Sequence, residues 1–231
     1  MNPRAADKII VALDVATKEE ALGLVAELKG QVSFFKVGLQ LYTGCGPDVV
    51  REIVATGAKV FLDLKLHDIP NTVARAVESA GKLGARMLTI HLSGGAEMIR
   101  AAMKARPNTM SILGVTVLTS ATEETLREIG ISERMNEQVL RLARLGVAER
   151  IDGLVASPFE TQTLRNEFGD KIKIVTPGVR PKGSSAGDQK RFMTPREALD
   201  AGADYLVIGR PITAEHDPRA ALMRILDELN A

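Results

Sequence analysis

Lys59 to Thr72 reads KVFLDLKLHDIPNT, and its change of character partway along decides the architecture. The first half is a short aliphatic and aromatic run. A strand covered by helices on both faces of a parallel sheet has this nearly continuous apolar composition. The second half turns to charge and proline, and Pro70 disfavours helical backbone at Ile69, the residue before it. Strand, polar punctuation and helix start thus follow one another within a few residues.

Working outward, the same event occurs eight times. The runs are Lys8–Asp14 (KIIVALD), Ser33–Gly38 (SFFKVG), Lys59–Lys65 (KVFLDLK), Met87–His91 (MLTIH), Ile112–Leu118 (ILGVTVL), Ile151–Ser157 (IDGLVAS), Ile172–Thr176 (IKIVT) and Asp204–Gly209 (DYLVIG). Helices with readable ends separate them. Thr17 with Glu20 forms a capping box, Leu22, Val25 and Leu28 mark one face, and Gly30 supplies the stop. Pro47 opens the next helix at a first-turn position and Gly57 closes it, while Thr194, Pro195 and Glu197 repeat the start signal before the eighth run. Such alternation, with no linker dividing it, favours an α/β fold of the TIM type: one (β/α)8 barrel domain over residues 1–231. An open doubly wound sheet is the alternative. The lack of GxGxxG after the first run weakens its dinucleotide-binding form.

Composition narrows the function classes. The 231 residues are 45% hydrophobic and 26% charged with a formal net charge of +1, which fits neither a disordered chain nor a basic nucleic-acid binder. Trp is absent and aromatics are only 3%, so base-stacking platforms are poorly supplied as well. Every apolar run breaks before the ~20 residues a membrane helix needs. Met1 to Lys8 lacks the apolar core of a signal peptide, and the lone Cys45 has no intramolecular disulfide partner. The expectation is a soluble cytoplasmic protein without nucleic-acid or membrane partners. His67, His91 and His216 are scattered and no CxxC exists, so no metal is expected.

A barrel carries its chemistry at the carboxyl ends of its strands. Asp14, Lys36, Asp63, Lys65 and His91 all fall at or near such ends. Because strand side chains alternate, Asp63 and Lys65 should share one face, with Leu62 and Leu64 on the other. Lys36 on the neighbouring strand and Asp68 in the following loop can reach the same space, giving an acid-base cluster of Lys36, Asp63, Lys65 and Asp68. Charges brought together out of bulk water must be paired. Two carboxylates would keep Lys65 an ammonium, ready to donate a proton. The plainer alternative is a set of strand-end salt bridges serving barrel closure.

The seventh run leads into TPGVRPKGSSAGDQKRF, a glycine- and serine-rich stretch with the look of a mobile lid. After the eighth comes Gly209-Arg210-Pro211-Ile212-Thr213. Glycine permits close backbone approach, a helix start favours anions, and Arg210 adds a forked donor. Barrel phosphate sites are often built from the loops after strands seven and eight. A flexible surface loop and an ordinary helix start would look similar. Cys45 reads as a small loop residue, His67 and His91 as hydrogen-bonding support, and Arg141 to Arg150 as a solvated helix face.

Taken in order, VALDV at Val11, FKVG around Lys36, DLKLHDIPNT from Asp63 to Thr72, LTS from Leu118 to Ser120, TPGVRP from Thr176 to Pro181, GDQKR from Gly187 to Arg191 and GRPI at Gly209 make the chain similar to the compact bacterial orotidine 5′-phosphate decarboxylases. The segment from Ala121 to Ile131 carries no assignable function. The resemblance implies decarboxylation of orotidine 5′-monophosphate to uridine 5′-monophosphate, the last step of de novo pyrimidine synthesis, without metal or cofactor. Lys65 would protonate the carbanion and Asp63 would sit beside the departing carboxylate, with Lys36 and Asp68 completing the charge chain. Asp68, Ile69 and Thr72 would reach a partner subunit's site in a homodimer. Asp14 and Lys36 would hold the ribose, Thr119 and Ser120 the pyrimidine, and Arg180, Gln189, Gly209 and Arg210 the phosphate, with Pro177 also contacting substrate.

Rival readings remain at this point. A magnesium-dependent sugar-phosphate decarboxylase or aldolase-like barrel would share D-x-K-x-x-D, but it would need a carboxylate where this chain has Lys36. A non-catalytic nucleotide-binding barrel would need only the phosphate end. A tryptophan- or histidine-pathway barrel would give no reason for two lysines to interleave with two aspartates.

Overall fold

A computed structural model describes residues 5–181 and 193–230. Eight strands, β1 (Ile9–Ala12), β2 (Phe34–Gly38), β3 (Lys59–Leu66), β4 (Met87–His91), β5 (Ser111–Val115), β6 (Gly153–Val155), β7 (Lys173–Pro177) and β8 (Tyr205–Ile208), close into a barrel in chain order. Each strand pairs parallel with its neighbours, and β1 pairs β8 to complete the ring. The closed barrel, not the open sheet, is the architecture.

Alternation along each strand divides the core in two. Ile10 and Ala12 point inward to join Phe34, Phe61, Met87, Leu113, Val175 and Val207, which fill the barrel. Ile9, Val11, Leu62, Leu88 and Ile90 point outward and pack under the helices. Two buried faces favour apolar side chains at most strand positions, and this is why the runs are nearly continuously apolar. Several runs outlast their strands: Asp14, Val117 and Leu118 lie beyond the last paired residues, in the loops of the mouth. At the other end of the sixth run, Asp152 leaves the ladder because its carboxylate accepts the Ile112 N–H at 2.8 Å and Arg106 at 3.0 Å.

Helix starts follow side-chain chemistry. Thr17 Oγ1 accepts the Glu20 N–H at 3.2 Å while the Glu20 carboxylate accepts the Thr17 N–H at 3.0 Å. Thr194 and Glu197 form the same box before the helix Pro195–Asp200. On the first helix, Lys18–Leu28, Ala21 joins Val25 and Leu28 on the buried face, and Leu22 lies at its half-buried margin. Gly30 and Gly57 take φ of 86° and 90°, the left-handed region that glycine enters without strain. One expectation is corrected here. A helix, Leu39–Cys45, already follows β2, and Pro47 is the N-cap of the next, Asp48–Ala55, not its first-turn residue. Arg141 and Arg144 lie on the helix Met135–Ala148, exposed and paired with Glu133 and Glu167. Ala121 to Ile131 contains the capped helix Glu123–Glu128. Among the described residues, no helix is long and apolar enough to cross a membrane.

Candidate active site

The carboxyl ends of β1, β2 and β3 bring four charges into one line. Lys36 Nζ lies 2.9 Å from Asp14 Oδ1 and 3.9 Å from Asp63 Oδ2. Lys65 Nζ in turn donates to both Asp63 oxygens, at 2.8 and 2.9 Å. Acid and base alternate as Asp14, Lys36, Asp63, Lys65. The two middle members are largely withdrawn from water, with 11% of the Lys36 and 13% of the Asp63 side chain exposed. Burial of this kind is tolerable only because each group has an opposite neighbour. Gly38 keeps room for the lysine: a Cβ there would come within 2.9 Å of Lys36 Nζ.

Simple alternation does not account for β3. Leu62 pairs with Leu88, but Ile90 pairs with Leu66, so Asp63, Leu64 and Lys65 together face Thr89. Lys65 takes the left-handed φ of 50° in this bulge. The expected shared face of Asp63 and Lys65 is thus produced by a break in the ladder. Thr89, which sequence reasoning missed, is fully buried beneath it. Its Oγ1 accepts the Lys65 N–H at 2.8 Å and donates to Asp63 Oδ1 at 2.9 Å. A signal existed: in MLTIH, Thr89 has the same parity as the inward Met87.

Asp68 corrects another expectation. Its carboxylate accepts the Ile69 N–H at 2.6 Å, and among the described residues no ion pair joins it to Lys36, Asp63 or Lys65. Asp14 takes its place in the chain of charges. Asp68, Ile69 and Thr72 stand exposed around the start of the helix Pro70–Lys82, Ile69 at 67%.

A cavity of about 140 Å³ opens beside the charges, walled by Lys36, Asp63, Lys65, Thr119 and Pro177 and by apolar side chains including Phe61, Val115 and Val155. Ser120 is exposed in the same loop but is not part of that wall. A roomier hollow, about 320 Å³, includes Lys29, Gln31, Ser33 and Thr56 at the strands' amino ends. The mouth is the candidate, because of these two spaces it is the one that adjoins the charge chain.

At the expected phosphate end, Gly209 is packed close: a Cβ would meet Ala12 Cβ and Asp14 Oδ2, each at 3.3 Å. Exposed Arg210 opens a helix of one turn, Arg210–Thr213. Arg180 is 5% exposed and its N–H donates to the Met193 carbonyl at 3.0 Å. Gln189 and the rest of residues 182–192, most of the stretch expected to form a lid, lie outside the described residues.

His91 ends β4 with its ring 5.6 Å from that of exposed His67. Burial lowers the His91 pKa, His67 and Lys65 push the same way, and Asp63 opposes them. Neither ring makes a hydrogen bond among the described residues; in place of the hydrogen-bonding support expected of them, the two rings meet tilted by 38°. Cys45, expected in a loop, is instead the last residue of the helix Leu39–Cys45, with its Sγ 3.8 Å from the Ala16 carbonyl.

A family model described as "Orotidine 5'-phosphate decarboxylase / HUMPS family" matches residues 7–225. The chain belongs to this family. Among proteins named orotidine 5′-phosphate decarboxylase, that of Syntrophotalea carbinolica is 49% identical, with 100% of this chain and 98% of that one covered. That of Idiomarina loihiensis is 48% identical, with 97% and 99% covered. The crystal structure of the decarboxylase from Lactobacillus acidophilus superposes with a TM-score of 0.86 at 38% identity, covering 97% of this chain and 100% of that one. The decarboxylase structure from Pyrococcus horikoshii OT3 gives 0.79 at 29% identity, covering 96% and 99%.

Proposed function

We propose that the chain decarboxylates orotidine 5′-monophosphate to uridine 5′-monophosphate, in pyrimidine synthesis, with its own side chains. The observation that carries the reading is the contact chain Asp14–Lys36–Asp63–Lys65 against the cavity of the barrel mouth, in a member of the decarboxylase family.

The bond from C6 to the carboxylate breaks and its electron pair stays on C6 as carbon dioxide leaves. Lys65 gives C6 a proton, becomes an amine and is reprotonated from water. Asp63, fixed against Lys65, stands beside the departing carboxylate. Negative charge there disfavours the substrate's carboxylate and is relieved as carbon dioxide departs. Lys36 balances Asp63 and, with Asp14, holds the ribose hydroxyls. Thr119, Ser120 and Pro177 contact the pyrimidine. Arg180, Gln189, Gly209 and Arg210 hold the phosphate, whose binding energy, remote from C6, serves to position the reacting carbon.

Two further features belong to the proposal. Asp68, Ile69 and Thr72, exposed and outside their own chain's cluster, complete the site of a second copy, which makes the working unit a homodimer. A cytoplasmic setting fits a nucleotide substrate and a free thiol at Cys45. The magnesium-dependent relative is disfavoured because the Lys36 ammonium, 3.9 Å from Asp63, occupies the place where a hard cation would sit.

The test is to incubate purified protein with orotidine 5′-monophosphate in EDTA and follow the loss of its ultraviolet absorbance. Turnover is expected. No turnover, or turnover only after magnesium is restored, would overturn the reading.

A further inference from the structure

We propose that Thr89 is a positioning residue for this reaction: its buried hydroxyl holds the bulge of β3 so that the Asp63 carboxylate and the Lys65 ammonium meet at one point in the mouth. The inference rests on the decarboxylase reading above. Thr89 has no exposed surface, so it acts through its neighbours without touching substrate.

The hydroxyl has one hydrogen to give and lone pairs to receive with. The Lys65 backbone N–H, 2.8 Å away, can only donate to it. The Asp63 carboxylate, 2.9 Å away, can only accept from it. Both ends therefore fix the direction of the pair. Lys65 Nζ then returns to the two Asp63 oxygens at 2.8 and 2.9 Å, which closes a ring through Thr89, Asp63 and Lys65.

The backbone explains why such a clamp is needed. With Asp63, Leu64 and Lys65 all opposite Thr89, the Lys65 amide has left the ladder and needs another acceptor. Lys65 also holds a φ of 50°, a region that a residue with a long side chain seldom enters unless its surroundings enforce it. The Thr89 hydroxyl supplies the acceptor and, in the same contact, sets the rotamer of Asp63. Valine at position 89 fills nearly the same volume but leaves the Lys65 N–H and Asp63 Oδ1 without this partner.

The experiment compares wild type, Thr89→Val, Thr89→Ala and Thr89→Ser by steady-state decarboxylation of orotidine 5′-monophosphate, with uridine 5′-monophosphate binding measured by calorimetry and folding checked by circular dichroism. For Thr89→Val, kcat should fall about tenfold to a hundredfold, the cost of loosening a reacting pair. Its KM and nucleotide affinity should stay within about twofold of wild type, and Thr89→Ser should recover most of the kcat. If the valine variant does not fold, the alanine and serine variants carry the same contrast. Near-normal kcat without the hydroxyl would overturn the proposal, as would equal losses in the serine and alanine variants, or a loss mirrored in KM and nucleotide binding. A wild type unable to turn over the nucleotide would sink the decarboxylase reading itself and this inference with it, whereas an active wild type and an indifferent Thr89→Val would sink this inference alone.

Discussion

Burial, His67 and the Lys65 ammonium together hold the His91 imidazole below its usual pKa of 6.5, against the pull of Asp63. The unfolded chain therefore takes up a proton at this position before the folded chain does. The stability contributed by a neutral His91 is complete above pH 6.5 and is lost as the pH falls through the lower, folded-state value. We expect the urea midpoint to fall between pH 7 and pH 5 and the fall to be shallower in His91→Asn; equal slopes would contradict the assignment. The charged members of the mouth were legible from sequence, since Lys36, Asp63 and Lys65 interrupt apolar runs where a barrel opens. Thr89 was not, because threonine in a strand reads as an ordinary β-former. Asp14 was expected among the strand-end charges and at the ribose but not in the acid-base cluster itself, yet its carboxylate at 2.9 Å makes it the acid that pairs Lys36 within the chain.

The helices show where local chemistry governs and where it does not. Thr17 caps its helix with an exposed two-way hydrogen bond in the loop after β1 and is not part of the cavity wall. Thr17→Ala should cost about 1 kcal/mol and lower Tm by roughly 2–4 °C with unchanged kcat. An unaltered melting curve would remove the cap from the account. Such boxes were readable because both partners lie within four residues. The helix Leu39–Cys45 was not, since its N-cap is Gly38 with no side-chain bond and its buried side is Leu41 alone. The β3 bulge was illegible for a different reason: it is a mismatch between two strands, and neither strand's sequence holds it alone. Parity therefore gave the right outcome for Asp63 and Lys65 by an incomplete route, the positive φ of Lys65 supplying the turn that alternation assumed.

At the scale of the molecule, eight repeats of strand and helix were enough to close the barrel, because two-sided burial writes itself into composition. What one chain could not reveal was where Asp68 acts, since its partner on the present reading belongs to a second copy. Separately inactive Lys65→Ala and Asp68→Ala chains, unfolded together and refolded as a mixture, should regain roughly a quarter of wild-type activity: half the dimers are hybrid and each has one intact site of two. A mixture that stays inactive would argue for self-contained sites. The central claim is that the ammonium held against Asp63 delivers the proton to C6, and Lys65→Ala tests it most directly. We predict that turnover of orotidine 5′-monophosphate falls by about 10²–10⁴-fold or more, while the variant stays folded and binds uridine 5′-monophosphate by calorimetry. Turnover near the wild-type rate in that variant would contradict the account.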